Sequence, residues 1–271
     1  MKTCVLSSGS KGNITYLETS TCKYLFDLGR NKKYVLDKLN EIGVKPTEIE
    51  YILLSHSHDD HISALESFLK TYHTKVVVTE EILNHIPFLK KYENIVLYED
   101  DININEDLIE TIKSSHDSDD ARNFIIHDGN KSLCYITDTG YINQKYFKKL
   151  ENHDIYLFES NHDIEMLTNG PYPSWLKARV LSDKGHLSNI AAGVYLSKFI
   201  GKKTKHIILI HLSETNNKPS LAYETTKEIF DEYDIKFDNI SCASQNEISE
   251  VIEIWSKLFA LEKLRKHIWK T

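Results

Sequence analysis

Four side chains able to hold a metal fall within one short stretch, His56-x-His58-x-Asp60-His61. On extended chain, residues i and i+2 project to the same side, so His56 and His58 can grip one ion. Asp60 and His61 follow where the chain turns towards a helix, and can grip a second. Imidazole and carboxylate donors together suit zinc, manganese or iron. The plain alternative is that each histidine is an ordinary surface or core residue. A chance match to four fixed positions in a chain of this length has a probability on the order of 0.002, at about 5% per residue type.

A two-metal site needs further donors, and the chain offers them after apolar runs. His116 follows the run at 108–114, Asp138 the run at 132–137, and His211 the run at 206–210. Each such run reads as a buried strand, so one edge of a sheet can collect all three. A carboxylate such as Asp138 can bridge two ions about 3.5–4 Å apart.

The elements that must position these donors read as follows. Strands are expected at 3–6, 14–18, 23–27, 51–54, 75–79, 95–98, 108–114, 123–127, 132–137, 155–158, 206–210 and 248–254. Asp128-Gly129-Asn130 is a hairpin turn. Helices are expected at 32–42, stopped by Gly43, and at 62–72, 80–86, 143–150, 186–199 and 221–233. Strands come first, then helices alternate with strands, in two rough halves. That is an α/β pattern that fits a two-sheet sandwich with helices outside, without distinguishing it from other α/β layouts. Residues 256–270 read as a basic amphipathic helix whose apolar face, including Leu258, Leu261 and Trp269, packs by default on the chain's own domain.

The chain has 271 residues, 41% hydrophobic, enough for one large core, and its few Gly and Pro argue against long linkers. No run has signal-peptide or membrane-span length, so a soluble, cytoplasmic protein with no membrane partner is expected. Cys4, Cys22, Cys134 and Cys242 have no C-x-x-C spacing and read as core thiols. The net charge of −7 argues weakly against a nucleic-acid partner. Two divalent ions would bring it to about −3, with the added charge at the site itself. Local cations also exist at Lys177, Arg179 and Lys184, whereas Lys202, Lys203 and Lys205 read as a solvated helix end.

With these residues in place, the sequence resembles the metallo-β-lactamase superfamily, whose pattern is H-x-H-x-D-H followed by His, Asp and His at later strand ends. The resemblance covers residues 1–255 and implies an αββα four-layer sandwich, with 256–271 as a C-terminal helical extension. It implies two divalent ions, manganese or zinc. His56, His58 and His116 would hold one, Asp60, His61 and His211 the other, and Asp138 would bridge. A narrower resemblance joins Ser7-Ser8-Gly9-Ser10-Lys11-Gly12-Asn13, Glu159-Ser160-Asn161-His162-Asp163, Gly185-His186-Leu187-Ser188-Asn189 and His211-Leu212-Ser213 to the YycJ/WalJ/VicX group. Members of that group are regarded as 5′-to-3′ exonucleases on DNA. Lys11 and Ser55 depart from its usual Ser and Thr, and neither change removes a ligand.

The implied activity is metal-assisted phosphodiester hydrolysis of DNA, at a duplex end or on a single strand. Asp60 would orient the attacking water as well as bind metal. His186, expected to open a long helix after Gly185, would protonate the leaving oxygen, with Glu159 orienting and charging it; the alternative is that His186 only caps its helix. Ser8, Ser10, Asn13, Asn161, His162, Ser188 and Asn189 are candidate substrate contacts, with Ser188 and Asn189 equally able to finish a helix cap. The same metal core also serves thioester and lactone hydrolysis, so a small-molecule hydrolase is the main alternative, supported by the acidic charge. A non-catalytic regulator is a third class, opposed by the complete donor set. The interval from Asp138 to His211 is too short for a β-CASP insert, and no Gly/Pro-rich tRNA-gripping arm is present.

Overall fold

The computed structural model describes residues 1–255. The helix expected at 256–271 lies outside the described residues. The first half builds β1 (Lys2–Ser7), β2 (Ile14–Glu18), β3 (Lys23–Phe26), β4 (Tyr51–Leu53), β5 (Lys75–Val78) and β6 (Ile95–Leu97) into one sheet. Helices α1 (Lys32–Glu41), α2 (Asp59–Ile62), α3 (Leu65–Leu69) and α4 (Glu80–His85) connect them.

The second half builds β7 (Ile102–Ile104), β8 (Asp107–Lys113), β9 (Arg122–Asp128), β10 (Lys131–Ile136), β11 (Ile155–Glu159), β12 (His206–Ile210) and β13 (Ile240–Cys242) into the other. Its helices are α5 (Phe147–Leu150), α6 (Ile164–Asn169), α7 (Ser174–Val180), α8 (Asn189–Phe199) and α9 (Pro219–Glu232). The last strand, β14 (Ile252–Glu253), returns to pair with β1. Sheet orders are β14-β1-β2-β3-β4-β5-β6 and β13-β12-β11-β10-β9-β8-β7. In each sheet an antiparallel block leads into a parallel one, from β3 through β6 and from β10 through β13.

Alternation within single strands explains the layering. In β3, Tyr24 and Phe26 face the other sheet while Leu25 packs under the helices. In β12, Ile208 and Ile210 face inward, and Ile207 and Leu209 face α8 and α9. Strands buried on both faces need this apolar continuity. The result is four layers, helix, sheet, sheet, helix, with three apolar clusters between them. Phe26 stacks on Tyr135 at 4.6 Å, joining the sheets just beneath the edge where the metal donors gather.

Several elements differ from the sequence-based expectation. The helix expected at 62–72 is split into α2 and α3, because the backbone there is committed to a neighbouring loop. Asn13 N–H bonds to Asp60 O, Leu28 N–H to His61 O, and Ala64 N–H to Leu28 O, at 2.7–2.8 Å. A Cβ on Gly29 would lie 1.5 Å from Asp60 O, so only glycine permits this approach. His186 does not open α8. The helix starts at Asn189, with Ser188 as N-cap accepting from Ala191 N–H, and His186 lies in the preceding loop. The strand expected at 248–254 shrinks to β14, since Ser249 bonds to Val5 through both backbone and side chain. The edge strands β7 and β13 and the short helices α6 and α7 were not anticipated. Cys4, Cys22 and Cys134 are buried free thiols, and Cys242 is half-buried.

Candidate metal centre

The expected donors meet along one edge, where β4, β10, β11 and β12 end and the loop after β8 returns. His56, His58 and His116 form one group of converging ligand atoms, and Asp60, His61 and His211 form another. In the first group, His58 Nδ1 lies 3.1 Å from His56 Nε2 and 3.3 Å from His116 Nε2. Three nitrogens about a tetrahedral ion at 2.0–2.1 Å would stand about 3.3 Å apart, so this set fits a metal.

The far nitrogens of the rings confirm that fit by fixing their tautomers. His61 Nδ1 donates to Asp27 Oδ2 at 2.8 Å. Ser55 Oγ donates to the same carboxylate and lies 3.0 Å from His56 Nδ1, which donates to it in turn. His116 Nδ1 faces the Gly185 carbonyl at 3.2 Å. His211 Nδ1 lies 3.3 Å from Glu159 Oε1, while its Nε2 is buried without a hydrogen-bond partner and faces Asp138 Oδ1 at 3.4 Å. His56, His61, His116 and His211 thus each set one ring nitrogen against a fixed partner and turn the other towards the donor cluster.

Asp138 stands between the two groups. Its Oδ2 is 3.2 Å from His61 Nε2, and its Oδ1 is 3.8 Å from His116 Nε2. Asp60 Oδ2 is 3.6 Å from His61 Nε2 and 3.7 Å from His211 Nε2. Asp27, Asp138 and His211 all have left-handed backbone, with φ of 57°, 48° and 57°. That conformation is uncommon for non-glycine residues and turns each side chain sharply off its strand end.

The electrostatics are those of a site rich in negative charge. Burial pushes the His61 ring down, but Asp27, Asp60 and Asp138 hold it well above the usual histidine range. Burial acts on His211 in the same way, and Asp138, Asp60 and Glu159 outweigh it to bring the ring up to about 10. Burial would raise the Asp138 carboxyl, yet His211 and His61 keep it well below the carboxylate range. Burial and the neighbouring His61 depress His56. The carboxylates therefore gather positive charge onto the rings, and a divalent cation satisfies the same field.

Glu159 is fully buried and serves two rings at once. Oε1 accepts from His186 Nδ1 at 2.7 Å and also faces His211, while Oε2 accepts from Thr139 N–H at 2.9 Å. His186 remains at the surface of the site, with 17% of its side chain exposed, and its Nδ1 is 3.6 Å from Asp138. A cleft of about 240 Å³ opens over this edge and is lined by His58, Asp60, His116, Asp138, His186 and His211.

The remaining expected residues separate into two sets. Ser10 and Asn161 line the cleft. Ser8 is buried behind it, its Oγ accepting from His211 N–H at 2.7 Å. Asn13 is buried against Asp60 and His61, donating to the Asp60 carboxylate at 3.3 Å. Asn189 is 1% exposed and bonded to Ser160 and Asn217, and Ser188 caps α8, so these two side chains face away from the cleft. His162 is buried with neither ring nitrogen partnered, and burial brings it down to about 4.

Other residues of the site escaped the sequence reading. Asp27 and Ser55 orient ligands; Tyr172, Leu176, Ser213 and Asn216 line the cleft, as does the cation Arg179. The one signal for Asp27 was a carboxylate at a strand end just before a glycine, the pattern also seen at Asp138 and Gly140.

Known proteins resemble this chain at both levels. The sequence profile of the metallo-beta-lactamase superfamily matches residues 8–155. A protein of Streptococcus pneumoniae serotype 2 (strain D39 / NCTC 7466), named exodeoxyribonuclease WalJ, is 36% identical over 231 residues, spanning 83% of this chain and 86% of its own length. Another, of Bacillus anthracis and named exodeoxyribonuclease YycJ, is 33% identical over 236 residues, spanning 84% and 88%. Among solved structures, the metallo-beta-lactamase fold protein YhfI from Bacillus subtilis superposes with a TM-score of 0.69 at 17% identity, over 92% of this chain and 99% of that one.

Proposed function

This chain belongs to the metallo-β-lactamase superfamily, and from that premise we propose that it is a metal-dependent exodeoxyribonuclease that degrades DNA from the 5′ end. The observation that carries the reading is the Glu159–His186 pair, 2.7 Å apart, with His186 lining the cleft beside the donor cluster and Glu159 buried behind it. The names of the two relatives, each about a third identical over most of the chain, support the same substrate class.

His56, His58 and His116 would hold one divalent ion, manganese or zinc, and Asp60, His61 and His211 the second, with Asp138 shared between them. Bound ions of this kind supply a nucleophile from water near neutral pH and neutralise charge growing on phosphoryl oxygens. The chain's own residues do the rest. Asp60 has a quarter of its side chain exposed, and it orients the attacking water while Asn13 holds the carboxylate. As the new O–P bond forms, the bond to the leaving oxygen breaks, and that oxygen needs a proton. Glu159 holds the His186 ring by Nδ1, leaving the other nitrogen to deliver the proton. Ser10 and Asn161 line the cleft and would contact the substrate strand.

No helix among the described residues is long and apolar enough to cross a membrane. With four free thiols, the protein fits the reducing cytoplasm, where DNA is also found. The test is a time course on linear duplex DNA labelled at the 5′ or the 3′ end, with manganese or zinc and Asp60→Asn as control. Early release of the 5′ label as mononucleotide, by active protein only, is the expected result. No release with either metal would overturn the nuclease reading and turn attention to thioesters and lactones.

A further inference from the structure

One wall of the cleft comes from α7 and its flanks, and the composition there departs from the rest of the chain. Between Gly170 and His186 lie three cations, Lys177, Arg179 and Lys184, against one acid, Asp183, in a protein of net charge −7. Tyr172, Leu176, Arg179 and Val180 line the cleft from this segment. The spacing of Leu176, Arg179 and Val180 puts them on one face of α7, and Tyr172 lies in the bend just before it. Trp175 falls four residues before Arg179 within α7, so it stands at the edge of that face beside Arg179. Its ring is 68% exposed, the most exposed large hydrophobic among the described residues.

A lone exposed apolar side chain is ordinary on a protein surface. Trp175 differs in its surroundings. A guanidinium neighbours it one turn along the helix, and that Arg179 lines the cleft that holds the converging metal donors. Arg179 pairs with Asp117 through Nε, next to His116, which leaves its terminal nitrogens for another anion. The wall is firmly seated. Lys177 Nζ ties α7 to the Thr168 carbonyl of α6 at 2.7 Å, and a Cβ on Gly140, two residues from Asp138, would lie 2.3 Å from Asp183 O. An aromatic face and a cation side by side on a rigid rim are what an unpaired nucleic-acid strand requires, since bases stack on aromatic rings whatever their identity and phosphates pair with arginine.

We propose that α7 is a strand-holding wall, in which Trp175 stacks on a base next to the scissile phosphodiester and Arg179 pairs with an adjacent phosphate. This rests on the reading of the protein as a DNA hydrolase. It makes the substrate a strand that is single-stranded at the cleft, so that a duplex end must fray by at least the base that stacks.

The test uses the full chain loaded with manganese, as wild type, Trp175→Ala, Trp175→Phe and Arg179→Ala. Turnover is compared on a 5′-labelled oligothymidylate and on bis(p-nitrophenyl) phosphate, which has no flanking strand. Binding of fluorescent oligothymidylate is followed by anisotropy in an Asp60→Asn background. Trp175→Ala should weaken oligonucleotide binding about tenfold and shift the selectivity between the two substrates by a similar factor, with Trp175→Phe retaining most of both. Arg179→Ala should reduce the salt slope of binding by about one. A Trp175→Ala protein that binds oligothymidylate as wild type, or that loses both substrates equally, overturns the strand-holding role while wild-type DNA degradation still supports the nuclease reading. Wild type that hydrolyses the small diester yet neither binds nor degrades oligothymidylate overturns both together.

Discussion

Asp27 holds the Nδ1 of His61 at 2.8 Å, and both side chains are fully buried. The same carboxylate receives Ser55 Oγ and N–H, each at 2.8 Å, and Ser55 in turn orients His56. One residue thus sets the ring planes of a ligand in each group, and it also accepts from the Tyr135 hydroxyl at 3.4 Å. Replacing Asp27 by Ala should lower metal affinity by about 10- to 100-fold without removing any ligand. Competition against a fluorescent chelator measures this, with circular dichroism to check the fold. An Asp27→Ala protein with wild-type metal affinity would show that the rings are oriented by packing alone.

His186 and Glu159 should separate in their effects. His186→Ala is expected to lower kcat on DNA by about 10²–10⁴-fold while metal content stays at the wild-type level. Glu159→Gln should lower kcat and also reduce metal content, because Glu159 Oε1 faces His211 as well as His186. Elemental analysis beside steady-state kinetics distinguishes the two. Equal metal loss in both variants would place His186 among the ligands instead.

Removing the metal should destabilise the whole sandwich, since each donor group draws on both sheets. At a free ion concentration a hundredfold above Kd, binding adds about 2.7 kcal/mol, so chelation should lower Tm by roughly 5–10 °C. Differential scanning calorimetry with and without EDTA reads this directly, and re-addition of manganese or zinc should restore it. An unchanged Tm would mean that the donor edge is rigid without its cations.

Acid sensitivity has a source away from the metal edge. Burial alone would raise the Asp120 carboxyl, but Arg122, buried beside it at 2.8 Å, and neighbouring donors hold it below its ordinary value of 3.8. A carboxylate depressed on folding stabilises the protein above its unfolded-state pKa, and that contribution fades as pH falls below 3.8 through the folded-state value. Asp120→Asn should therefore lower stability at neutral pH and flatten the acid limb below about pH 4. Urea melts at pH 7 and pH 3 measure both; a stability difference that stays constant across that range counts against the ion pair.

Much of the donor set was legible because it is local or marked. His56, His58, Asp60 and His61 are nearly contiguous, and His116, Asp138 and His211 each follow an apolar run that could only be a buried strand. The four layers followed from the family resemblance, since residues 24–26 and 207–210 are apolar throughout and nothing in their pattern marks which side chain faces which layer. What stayed hidden depends on contacts between distant segments. The strand-end carboxylate before Gly29 marks Asp27 as a turn residue, but not as the support of a ring 34 residues later, nor Gly29 as the gap through which Asp60 O approaches. The break between α2 and α3 comes from backbone bonds to residues 13 and 28, which override a good helical pattern. His186 seemed to open a helix because the apolar periodicity runs on past it, but Glu159 claims its ring and Ser188 supplies the cap two residues later.

The division of the donors between the two sheets also has a meaning in time. A nascent chain exposes His56, His58, Asp60 and His61 early, yet His211 emerges only 150 residues after His61. At ordinary elongation rates the wait is on the order of ten seconds. During synthesis the leading half can offer an ion only a partial and weak grip, so tight loading is deferred until the trailing half has docked. Capture of the metal is then a signal that the ribosome has finished its work on the catalytic edge.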